Sequence, residues 1–152
     1  MLEELLRQFA SLGSRVEKLE TQEPNQSRYL TLHAYNQLMP VTADGGVLIC
    51  GNPGTKRIKC LSWTPTTFVG TTNDGTNYWT VDLQYGVTGV NTTLGTFNTS
   101  ADTVSTWTKH TVTSFTNNPA PTTVSYIFIK VTKTGAPGLL YVTNLLKVLE
   151  IT

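Results

Sequence analysis

The stretch Asn77-Tyr78-Trp79-Thr80-Val81-Asp82-Leu83-Gln84-Tyr85 decides the fold class. Trp79, Val81, Leu83 and Tyr85 alternate with polar residues, so one face of a β-strand is buried. Tyr78 is opposite in phase to Trp79. It is expected to face outward, where it could stack on a sugar or pack on a neighbouring subunit, and it is the one candidate ligand-facing residue.

Working outward, similar short runs recur on both sides. Residues 30–35, 47–50, 58–63, 68–71, 93–98, 105–113, 123–131 and 139–151 all read as strands. Gly51-Asn52-Pro53-Gly54, Asn73-Asp74-Gly75 and Gly135-Ala136-Pro137-Gly138 read as the turns of hairpins. Eight or nine short strands without a second helix predict a mainly β chain, an antiparallel sandwich or jelly roll. Trp63, Trp79 and Trp107 all lie in strand patterns and are expected in its core. Charged residues make up 14% of the chain, against about 25% in an average soluble protein. Thr, Asn, Ser and Gly take their place, which suits twisted strands and tight turns.

The first 23 residues are unlike the rest. Glu3, Glu4, Glu17, Glu20 and Glu23 all precede Pro24, and only five acids follow it. Apolar residues fall at Leu2, Leu5, Phe9, Leu12, Val16 and Leu19, at spacings of three and four. This is the heptad rhythm of a coiled coil, with Leu2, Phe9 and Val16 at a and Leu5, Leu12 and Leu19 at d. Arg15 then falls at g and Glu20 at the next e, where they pair between parallel chains. The stripe is narrower than the face a helix gives to its own globular head, which favours association between chains. Residues 1–23 are thus read as a coiled-coil stalk and anchor, 24–29 as a linker and 30–152 as the β head. With fewer than three heptads, the stalk needs associating heads or a larger assembly to hold it.

Little in the chain carries reaction chemistry. His33 and His110 stand in separate strands without a local motif, and no nucleophile elbow, His-Glu-x-x-His or phosphate loop is present. Asp74 and Asn77 beside Gly75 offer a calcium ion one carboxylate and an amide, a poorer fit than a plain turn. Cys50 and Cys60 flank a turn and could face each other across a hairpin; two reduced core thiols is the simpler reading. No cofactor, metal or enzymatic activity is expected. A formal net charge of +1 predicts no nucleic-acid partner. The acidic start lacks the marks of a signal peptide, and no run is long enough to span a bilayer, so synthesis in the cytosol without membrane insertion is expected.

A heptad stem, a Pro break and a head rich in Thr, Asn and Gly together resemble the small trimeric fibre and appendage proteins of tailed bacteriophages. The run from Asn73 to Val81 and the closing Lys133-Thr134-Gly135-Ala136-Pro137-Gly138 turn are similar to segments of phage fibre and decoration heads. The resemblance implies a homotrimer in the virion, made in the host cytoplasm. Its N-terminal helix would be fastened to proteins of the capsid, neck or tail. Its head would serve as decoration or host-attachment adhesin, with a host-surface glycan as the possible ligand. A carbohydrate-binding sandwich module is the alternative. Sedimentation of the full chain is expected to give a trimer, or a dimer, since Leu at d with mixed a residues suits both. A clean monomer at micromolar concentration would rule out the coil.

Overall fold

The computed structural model describes residues 28–34, 41–51, 57–87, 89–121, 124 and 126–151. The expected stalk residues Leu2, Leu5, Phe9, Leu12, Arg15, Val16, Leu19 and Glu20 lie outside them. Among the described residues there are nine strands and no helix long and apolar enough to cross a membrane. The strands are β1 (Arg28–Ala34), β2 (Gly45–Gly51), β3 (Arg57–Trp63), β4 (Thr66–Val69), β5 (Tyr78–Val87), β6 (Val90–Asn98), β7 (Trp107–Lys109), β8 (Tyr126–Thr134) and β9 (Leu140–Ile151).

Every pairing is antiparallel, in two sheets. In the first, β9 carries β1 along one flank, opposite residues 144–150. Along its other flank β3 pairs with residues 146–151 and β4 with 140–143. β3 and β4 therefore lie end to end. Pro65, which has no N–H to give to a ladder, sits between them. The chain from 107 to 120 flanks this pair: β7 on β4, Val112 bridged to Trp63, and Ala120 bridged to Ile58. The second sheet has the order β2-β8-β5-β6.

These pairings nest. β5 pairs with β6, the 107–120 segment with β3 and β4, β8 with β2, and β9 with β1. Successive pairs alternate between the sheets, which is one long hairpin wrapped into a jelly roll. Among the described strands only the innermost turn, between Val87 and Val90 with Gly89 at φ +84, joins two paired strands as a hairpin. The turns expected to close hairpins at 73–75 and 135–138 instead carry the chain from one sheet to the other, and β2 and β3, expected to pair as a hairpin, belong to different sheets. Turn residues mark a reversal, but not the sheet that the next strand joins. Cys50 and Cys60 consequently stand on different sheets, as free thiols. Burial, and then the neighbouring Cys50, push the Cys60 thiol up to about 12.

The core lies between the sheets. Ile58, Cys60, Trp63, Leu140, Leu146 and Val148 come from the first, and Trp79, Val81, Leu83, Ile127, Ile129 and Val131 from the second. The alternation read in β5 is borne out, and β9 repeats it over twelve residues. Each buried indole finds an acceptor: Trp63 Nε1 donates to Asn144 Oδ1 at 3.0 Å and Trp79 Nε1 to the Gly138 carbonyl at 2.8 Å. Trp107 departs from expectation. It sits on the three-residue edge strand β7 and is 49% exposed.

Gly138 fixes the corner between β8 and β9. Its N–H donates to the Thr72 carbonyl at 2.7 Å, and a Cβ there would stand 2.6 Å from the Thr71 nitrogen. Because backbone would have to give way, Gly138→Ala is expected to destabilise the head by about 1–3 kcal/mol in urea unfolding. Gly75→Ala, where a Cβ meets nothing within 4 Å, is expected to stay within about 0.5 kcal/mol. Equal effects would refute the packing account of this corner.

Candidate functional site

Two groupings of chemistry-bearing residues emerge among the described residues, one largely closed to solvent and one open. The closed one begins on β4, where Thr67 and Val69 point inward and Phe68 points out. The loop between β6 and β7 folds over this strand: Thr99 N–H donates to the Trp79 carbonyl at 2.9 Å and Ser105 N–H to the Val69 carbonyl at 2.7 Å. Asp102 is thereby carried under the loop, beside Thr67 and His110. The Thr67 hydroxyl donates to Asp102 Oδ2 at 2.6 Å, and His110 Nε2 stands 3.0 Å from the same oxygen and 2.9 Å from Thr67 Oγ1.

Thr, His and Asp side chains in mutual contact invite comparison with a nucleophile relay, in which the imidazole joins its two partners through opposite ring nitrogens. Here one nitrogen meets both. A carboxylate oxygen can only accept, so His110 Nε2–H and the Thr67 hydroxyl converge on Asp102 as donors. Thr67 is fully buried, so no substrate reaches its hydroxyl in this arrangement. The His110 ring stacks on Phe97 at 4.2 Å, and Phe97 meets Trp63 edge-on. Asn73 completes the pin: Nδ2 donates to the carbonyls of Thr99 and Asp102, and Oδ1 accepts from the Thr99 hydroxyl at 2.8 Å. The cluster locks the 99–106 loop onto the corner between β4 and β5.

At that corner Asp74 serves the turn. Its Oδ1 accepts from the hydroxyl and N–H of Thr76 and from the N–H of Asn77 at 2.8–2.9 Å. These bonds, the Thr76 hydroxyl first, hold the carboxyl at about 2. Among the described residues no group of three His, Cys, Asp or Glu is placed to hold a metal ion.

The open grouping lies on the outer face of the first sheet. Strand register sets Trp107, Phe68 and Tyr141 in one row across β7, β4 and β9, and Lys109, Thr66 and Thr143 in the next. Phe68 lies between its neighbours, 5.4 Å from Trp107 at 49° and 5.9 Å from Tyr141 at 70°. Lys147, Lys59 and Arg57 stand exposed further along this face. Elsewhere Leu48 on the edge strand β2 and Val90 at the hairpin are exposed apolar side chains. Tyr78 is only half-buried, and its register partner is Thr134 on β8, so it belongs to the other sheet and does not join the aromatic row. His33 lies in β1, paired to Leu145, away from His110.

Two of the sites were missed in the sequence. Thr67, Asp102 and His110 are separated by 35 and 8 residues with no local pattern. Trp107 did carry a signal, because Lys109 shares its strand parity and a charged residue belongs outside.

No protein-family model matches the chain, and no curated protein does. Among solved structures it is similar to the particle of infectious bursal disease virus Gx strain, with TM-score 0.49 and 11% identity over 83% of this chain and 32% of that one. The T13 particle of the same virus gives TM-score 0.49 at 14% identity, covering 84% of this chain and 32% of that one. The mitogen of Yersinia pseudotuberculosis gives TM-score 0.28 at 14% identity over 84% and 87%. The chain spans about a third of the length of the virus proteins it matches. Likenesses of this size transfer no residue role.

Asp102→Ala leaves the buried Thr67 hydroxyl and His110 without their shared acceptor. It is expected to destabilise the head by about 1–3 kcal/mol, read as a lower thermal or urea midpoint. An unchanged midpoint would show that the pin carries no stability.

Proposed function

We propose that this chain is a structural, self-associating protein of a virus particle, of the tailed-phage fibre or appendage kind. In this reading its N-terminal coiled coil joins three chains and fastens them to the particle, the jelly-roll head projects outward, and the chain is not an enzyme. The observation that carries the reading is the contrast between interior and exterior. In the one cluster of relay-type side chains among the described residues the Thr67 hydroxyl and the Asp102 carboxyl are buried, whereas Trp107, Leu48 and Val90 stand exposed on a head with few surface charges. Leu48 and Trp107 lie on β2 and β7, edge strands among the described residues, and an uncovered strand edge is a surface on which another chain can dock. The heptad run before Pro24 supplies a means of association that leaves the outer faces free.

The role of the stalk is tested by replacing both Leu12 and Val16 with Asp, which puts charge at one d and one a position. The double variant is expected to sediment as a monomer at micromolar concentration and to be lost from isolated particles. The circular dichroism and melting transition of the head should persist. Retention in particles at full copy number would exclude the stalk as the anchor.

A further inference from the structure

The outer face of β7, β4 and β9 combines three features, of which the assembly reading uses only the exposure of Trp107. It presents one half-exposed indole, Trp107, steadied by the Phe68 ring at 5.4 Å. The neighbouring row holds two hydroxyls and an ammonium, from Thr66, Thr143 and Lys109. Arg57, Lys59, Lys109 and Lys147 are exposed on the first sheet's outward positions, and none of the described acids shares that face. Asp44 caps the Lys133 N–H, Asp74 holds its own turn, Asp82 is on the second sheet, Asp102 is sealed, and Glu150 has the inward parity of Leu146 and Val148.

We propose that this face is a binding site for an anionic polysaccharide, with a sugar ring stacked on Trp107 and its acidic group met by Lys109. The proposal deepens the reading of the head as outward-facing and rests on it. Trp107 and Lys109 are two residues apart on one strand, about 7 Å. A ring on the indole therefore brings its substituents over the Thr66, Thr143 and Lys109 row. The packed Phe68 holds the indole in place beforehand, so binding immobilises little.

Charge selects among occupants. A second copy of the same face would set lysine against lysine in a two-fold contact. Single-stranded nucleic acid is held by successive stacking platforms and a strongly cationic groove. Here Trp107 is the one exposed ring of the row, Phe68 and Tyr141 being partly buried and packed at 49° and 70° against their neighbours, and the net charge is +1.

The test uses the full chain and oligogalacturonate, with its methyl ester as the neutral counterpart and oligothymidylate as a second polyanion. Trp63 and Trp79 are buried, so acrylamide quenching of tryptophan fluorescence reports chiefly on Trp107. Oligogalacturonate is expected to bind saturably and to shield Trp107 from acrylamide, and the ester to bind more weakly. In calorimetry Trp107→Ala should lose about tenfold or more in affinity. Lys109→Gln should lose the preference for the acid over the ester, and Tyr78→Ala should change neither. Thermal melts check that each variant is folded, and Trp107→Phe, which keeps an aromatic ring, should retain part of the affinity. Absence of binding, binding indifferent to Trp107, or equal Trp107-dependent binding of oligothymidylate would overturn the site. So would concentration-dependent shielding of Trp107 in the free protein. Sedimentation of the same samples separates the two readings: a trimer that binds no saccharide removes this site and leaves the assembly reading standing.

Discussion

The ladder on both flanks of β9 is the constraint on which the rest of the head depends. Its inward residues Leu140, Val142, Asn144, Leu146 and Val148 alternate with Tyr141, Thr143, Leu145 and Lys147. A slip of one residue against β1, β3 or β4 would turn the first set to solvent and bury a lysine. Asn144 is tolerated in the inward row because it accepts from the Trp63 indole, and a buried amide without that partner would cost stability. Register, core and the Trp63–Asn144 bond therefore hold one another in place.

Away from the ladders, polar side chains do the work that regular strands do elsewhere. Between Val112 and Ala120 the chain leaves β3, and Asn118 fills the gap. Its Oδ1 accepts from the Cys60 N–H and its Nδ2 donates to the Cys60 carbonyl, both at 2.9 Å. Asn73, Thr99, Thr67 and Asp102 pin the 99–106 loop in a similar way. No buried side-chain nitrogen or oxygen among the described residues lacks a partner. Short neutral side chains can meet backbone groups inside a fold without the desolvation cost of a charge. This gives a physical reason for a composition rich in Thr and Asn and poor in charge.

The same economy leaves the outside distinctive. With so few charges in the chain, their placement matters, and the first sheet's outer face holds cations among aromatic and aliphatic side chains. Trp107 lies at its edge because β7 is only three residues long and, among the described residues, no further strand pairs with its far side.

The sequence by itself determined the elements. Alternation in 78–85 and 140–151 specified strands with one buried face, and the Gly-containing clusters at 73–75 and 135–138 specified reversals. These signals are local, since a side chain's parity along a strand follows from the backbone period alone. Only the tertiary structure decided partners. Asn73-Asp74-Gly75 and Gly135 to Gly138 became corners between sheets because β4 and β9 found each other from 71 or more residues apart. Thr67, Asp102 and His110 met for the same reason, and Trp107 stayed uncovered because its strand became an edge. Partner choice depends on which long-range pairing buries the most apolar surface while satisfying the backbone, and no short window of sequence contains that comparison.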